Sequence, residues 1–89
     1  MKHKKLRIYG KVHRIGFRFS AMQKAYKIGV HGFAQNADDG SVYIEAEGEE
    51  EKLNEFIDWC KVGPIGAKVD RILMEDGSVC NYLSFDIRE

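Results

Sequence analysis

Apolar residues recur along this chain with two different periods, and the order in which those periods follow one another leaves few folds open. Leu6, Ile8, Gly10 and Val12 alternate with Lys5, Arg7, Tyr9 and Lys11, the pattern of a half-buried strand. Gly16 interrupts the alternation. Phe19, Met22 and Tyr26, with Ala25 beside them, then recur at helical spacing. They predict a helix from about Phe17 to Ile28 with those side chains on its apolar face, and Gly29 supplies its stop. Val30 to Gln35 reads as a second strand. Asp38, Asp39 and Gly40 make a turn. From Ser41 to Glu47 the alternation returns, with Val42, Ile44 and Ala46 on one face and Tyr43, Glu45 and Glu47 on the other. Gly48 ends that hairpin. Glu49, Glu50 and Glu51 favour a helix N-terminus through the macrodipole. Leu53, Phe56, Ile57 and Cys60 form the apolar stripe of this second helix, and Gly63-Pro64 stops it. Val69, Ile72 and Met74 predict a fourth strand, Asp76-Gly77 turns the chain, and Leu83, Phe85 and Ile87 alternate in a short last strand.

The order is β-α-β-β-α-β with a short fifth strand. Right-handed crossovers place both helices on one side of the sheet. The expected fold is a two-layer α/β (α+β) sandwich of the ferredoxin-like type, an antiparallel sheet under two helices. The other face of the sheet is expected to stay open to water. At 89 residues the chain suits one domain spanning 1–89.

Charge excludes some partners. Lys plus Arg equals Asp plus Glu, 14 against 14, so no net charge draws the chain toward nucleic acid or anionic membranes. The distribution is uneven, however: Lys2, Lys4, Lys5, Arg7, Lys11, Arg14 and Arg18 precede the first acid, Asp38. That basic start either faces an anionic ligand or is ordinary solvated surface. No apolar run is long enough to span a bilayer, and the first residues lack the apolar stretch of a signal peptide, so a cytoplasmic protein without a membrane partner is expected. Cys60 falls on the helical stripe and Cys80 in a loop; two cysteines are too few for a disulfide scaffold, although one bridge between them is left open. His3, His13 and His31 show no metal-ligand spacing, and no metal is expected.

The stretch Gly10-Lys11-Val12-His13-Arg14-Ile15-Gly16-Phe17-Arg18 lies between the first strand and the first helix. A loop feeding a helix N-terminus offers unpaired N–H groups and the positive end of a dipole. Arg18, in the first helical turn, can fold a planar guanidinium over the same space and grip two phosphate oxygens at once. Asn36 ends the second strand. Its amide both donates and accepts, so it can hold a water and aim it; alternatively it hydrogen-bonds its own turn, as strand-end asparagines often do.

Gly10 to Arg18 resembles the acylphosphatase pattern G-x-V-Q-G-V-x-F-R. His31-Gly32-Phe33-Ala34-Gln35-Asn36, followed by Asp39-Gly40-Ser41-Val42, is similar to that family's G-W/F-V-x-N and G-x-V segments. Glu47-Gly48, Phe56, Trp59 and Gly63-Pro64-Ile65-Gly66-Ala67-Lys68-Val69 are similar to its tail. The resemblance implies hydrolysis of the carboxyl–phosphate bond of small acyl phosphates. Arg18 and Asn36 would be catalytic, the one holding phosphate and the other orienting water. His13, Arg14, Ile15, Gly16 and Phe17 would form the phosphate-binding loop. No cofactor is implied, the ligand is a small acyl phosphate or inorganic phosphate, and a monomer is expected.

The chain departs from the pattern where His13-Arg14 replaces Gln-Gly. That glycine stands where a loop backbone needs freedom, so Arg14 either blocks the cradle or adds a cation to it. His13 keeps hydrogen-bonding capacity and is expected to be structural or peripheral. The second reading is therefore a catalytically impaired ligand-binding or regulatory domain. A third, an RNA-binding sheet face, has Tyr9 and Tyr43 in its favour and Glu45 and Glu47 against it.

Overall fold

The computed structural model describes residues 1–89. Its elements are β1 (Lys2–Lys11), α1 (Phe17–Ile28), β2 (His31–Asn36), β3 (Val42–Gly48), α2 (Glu50–Cys60), β4 (Lys68–Asp76) and β5 (Phe85–Arg88). They form a two-layer α+β sandwich with sheet order β4-β1-β3-β2-β5. The first four strands of that order pair antiparallel, as expected. β5 joins the edge parallel to β2, so the full sheet is mixed. No helix is long and apolar enough to cross a membrane.

The core lies between sheet and helices. Leu6 and Ile8 of β1 meet Val42, Ile44 and Ala46 of β3, while α2 contributes Leu53, Phe56, Ile57 and Cys60, all buried. Full burial of each large aliphatic or aromatic side chain contributes about 1.5–3 kcal/mol. Glu50 and Glu51 occupy the first turn of α2, where the dipole favours them. Helix α1 corrects the expected face. It buries Phe17, Ala21 and Ala25, whereas Phe19 and Tyr26 are 53% and 59% exposed. Alanines at successive turns let the helix sit close to the sheet, which leaves the larger rings no room beneath it. Both cysteines are free; burial pushes the Cys60 thiol up, so it packs as an inert core group.

The far face of the sheet is open along β4, where Arg71, Leu73 and Glu75 are exposed, but it is covered at the His3 and Glu47 end, contrary to the expectation from alternation. The β4–β5 connection crosses it and is held by carboxylates. Glu47, buried, accepts from the N–H groups of Cys80 (2.8 Å) and Tyr82 (2.7 Å). His3, also buried, lies 2.7 Å from Glu47 Oε2 through Nδ1 and 2.9 Å from Glu45 Oε1 through Nε2. Tyr43 and Tyr82 donate their hydroxyls to Glu45. Phe33 packs at the edge of the Tyr82 ring.

Burial pushes both carboxyls up, but hydrogen bonds outweigh it. Tyr43, Tyr82 and His3 hold Glu45 below the usual carboxylate range, and Cys80, His3 and Tyr82 do so for Glu47. A carboxyl depressed by folding contributes stability that is complete above its unfolded pKa, about 4.3 for glutamate. That stability is lost as the pH falls through the folded-state values. Thermal unfolding between pH 6 and pH 2.5 is expected to show Tm falling with acid. Glu47→Gln should flatten that dependence; an unaltered slope would contradict the assignment.

Candidate active site

Val42 marks the row on which the site is built. It pairs with Ile8 of β1 on one side and with Asn36 of β2 on the other. Both neighbours run antiparallel to β3, so the C-terminal ends of β1 and β2 emerge at the same end of the sheet. They are two strand spacings apart, roughly 10 Å. The segment from Val12 to Gly16 leaves β1 there and enters α1.

That segment bends through two left-handed residues, Arg14 at φ 62° and Gly16 at φ 75°. Left-handed residues set between ordinary ones turn consecutive main-chain N–H groups toward one concave side, the geometry of an anion-binding nest. The N–H groups of residues 13–19 donate to no main-chain carbonyl; the first bond at this end of α1 runs from the Ser20 N–H to the Gly16 carbonyl, 2.9 Å. The first turn of α1 holds no acid, and no side chain caps it. Neither its first turn nor its cap residue therefore neutralises the positive end of this helix.

Arg14 stands where the resemblance expects glycine, and the position is indeed left-handed. A residue with a side chain costs roughly 1–2 kcal/mol there. Its side chain is exposed rather than collapsed into the concavity.

Arg18 and Asn36 line one pocket together, with Arg14, Gly16 and Phe17 also in its wall. Its volume is about 140 Å³, small beside the 300–1,000 Å³, roughly, of sites for drug-sized ligands or organic cofactors. Arg18 is half-buried and donates through Nη1 to the Arg88 carbonyl, 2.9 Å away, which fixes the guanidinium against β5. Asn36 does not close its own turn. Asp39 does that work, accepting from the Ser41 N–H at 3.0 Å and the Ser41 hydroxyl at 2.5 Å. Those two bonds hold the Asp39 carboxyl below the usual range. The Asn36 carboxamide is thus left for the pocket.

Two members of the expected loop lie outside the lining. Ile15 packs against the core. His13 donates through Nε2 to the carbonyl of buried Ser41, 2.7 Å away, tying the loop to the β2–β3 turn just beyond Asn36. Three lining residues escaped the sequence reading, Val12, Phe19 and Ile87. Their periodicity marks them as core; Val12 is indeed buried, while Phe19 and Ile87 are exposed at the pocket mouth.

These features describe a ferredoxin-like α+β protein with a small pocket at one end of its sheet, lined by two arginines and by part of a loop whose N–H groups are unpaired. The profile of the acylphosphatase family matches residues 4–87. An acylphosphatase of Aliivibrio fischeri is 45% identical over 69 residues, 78% of this chain and 77% of that protein. One from Yersinia pseudotuberculosis is 40% identical over 82 residues, 91% of this chain and 89% of its own. The crystal structure of acylphosphatase from Bacillus subtilis superposes with a TM-score of 0.96 at 32% identity, covering 100% of both chains. The chain belongs to the acylphosphatase family.

Proposed function

We propose that this acylphosphatase hydrolyses the carboxyl–phosphate bond of small acyl phosphates in the pocket shared by Arg18 and Asn36. The phosphoryl oxygens sit against the main-chain N–H groups of residues 14–18 and the Arg18 guanidinium. The Asn36 carboxamide accepts a hydrogen bond from a water and points its lone pair at phosphorus. Water adds as the P–O bond to the acyl group breaks; the acyl group leaves as a carboxylate, and the water's proton passes to a phosphate oxygen. The leaving group is already good, so positioning and charge stabilisation are enough to carry the reaction.

The observation that carries this reading is the meeting of Arg18, Asn36 and the amide-lined loop, from separate segments, in one oxyanion-sized pocket. Turnover of benzoyl phosphate tests it. The wild-type chain should far exceed the uncatalysed rate. Asn36→Ala should lower kcat by roughly 10²–10³-fold, on the scale of losing one positioned polar group, with KM little changed because Arg18 and the amides still hold the phosphate. A wild-type rate equal to the uncatalysed one would leave the impaired, ligand-binding reading.

A further inference from the structure

Four of the five arginines in this chain have partners. Arg18 is tied to the Arg88 carbonyl and Arg7 to the Ser41 hydroxyl, while the Arg71 and Arg88 guanidiniums lie over the Tyr9 and Phe33 rings. Arg14 is the fifth, and its guanidinium makes no hydrogen bond, ion pair or ring contact within the protein. It nevertheless occupies a left-handed backbone position, φ 62°, and lines the pocket that holds Arg18 and Asn36. Strained residues persist where their surroundings or their task over-determine them. A strained residue at the pocket's edge whose cation is exposed and unpaired points to a ligand group that meets it.

That group is not the transferred phosphate, whose charge the loop amides and Arg18 already meet in the reading on which this inference rests. Arg14 is the second cation of the lining, and no carboxylate shares that lining. Phe19 and Ile87, both part-exposed, stand at the same mouth and offer apolar surface to a carbon skeleton. We propose that Arg14 sets substrate preference, selecting acyl phosphates whose acyl group carries a carboxylate of its own: the monophosphates of dicarboxylic acids. The planar guanidinium takes the distal carboxylate two oxygens at a time, and the chain between lies along Phe19 and Ile87.

The test compares 4-carboxybenzoyl phosphate with 4-methylbenzoyl phosphate, two rigid substrates of similar size. The intrinsic reactivity difference between them cancels when variants are compared. The ratio of their kcat/KM values is expected to fall about tenfold from wild type to Arg14→Met, the scale of one charge-assisted hydrogen bond, with most of the change in KM. Arg14→Gly, which fits the left-handed backbone without strain, should show the same fall, so misfolding of the methionine variant cannot produce the result. Arg14→Lys should retain part of the preference. Rising salt should shrink the wild-type ratio and leave that of Arg14→Met nearly flat. A ratio that stays the same in Arg14→Met and Arg14→Gly overturns Arg14's role while the hydrolase reading stands. Turnover of neither substrate by the wild type overturns both.

Discussion

Arg18→Ala should lower kcat/KM for a small acyl phosphate by about 10³-fold, the lower range of losses when an arginine is withdrawn from a phosphoryl-transfer site. The reason is geometric. The guanidinium is held by the Arg88 carbonyl at 2.9 Å, so its position is set before substrate arrives and little reorganisation is needed. Arg18→Lys should recover only a small part, because an ammonium is a point charge and cannot present two parallel donors. The variant should remain folded: Arg18 is half-buried, contributes no core surface and makes one hydrogen bond. Steady-state kinetics beside circular dichroism checks both halves of the prediction. A loss below about tenfold in a folded variant would remove Arg18 from the phosphate site.

The second large effect falls on folding. Gly32 lies within β2 at φ 147°, where a Cβ would stand 1.8 Å from the Glu45 carbonyl oxygen and 3.0 Å from the Ala46 Cα. All the nearest atoms belong to the β3 backbone, which is paired on its other side with β1. The clash cannot be relieved by turning a side chain. Gly32 also donates its N–H to the Ser84 carbonyl at 2.9 Å, so moving it disturbs β5 as well. Gly32→Ala is expected to cost at least 3 kcal/mol or so, combining overpacking with backbone strain. For a chain of this length that lowers Tm by roughly 10–20 °C. Because Asn36 stands in the same strand, activity should fall with the folded fraction. A Tm within about 3 °C of wild type would contradict this placement of β2 against β3.

Some parts of the molecule are legible in the sequence because one force shapes them. The α2 stripe of Leu53, Phe56, Ile57 and Cys60 is buried as read, since a helix end rich in acid and a single apolar face admit one docking. The β2–β3 hairpin follows from its Asp39-Gly40 turn and the alternation of Val42, Ile44 and Ala46. The buried face of α1 is misread for a physical reason: hydrophobicity favours Phe19 and Tyr26, but close helix–sheet approach favours Ala21 and Ala25, and approach wins. One end of the far face is misread because alternation labels Glu45 and Glu47 as solvent-facing, and His3 lies buried between them. They are covered by the aperiodic β4–β5 connection, which leaves no pattern of its own and is fixed by hydrogen bonds to carboxylates across the sheet. Within the candidate site, the family resemblance singles out Arg18, Asn36 and the glycine position that Arg14 fills; the first two share a pocket lining and the third is left-handed. The roles of Phe19 and Ile87 at the mouth cannot be read in that way, since they arise only when α1 and β5 are set side by side.

The account rests on an oxyanion held by main-chain amides beside a guanidinium, and titration of the ¹⁵N-labelled protein with inorganic phosphate observes that contact directly. Saturable shifts are expected at the N–H groups of residues 14–18 and at the Asn36 side-chain amide, and they should vanish in Arg18→Ala. Phosphate that leaves those amides unmoved, or that moves a separate set while Arg18→Ala changes nothing, would contradict the account.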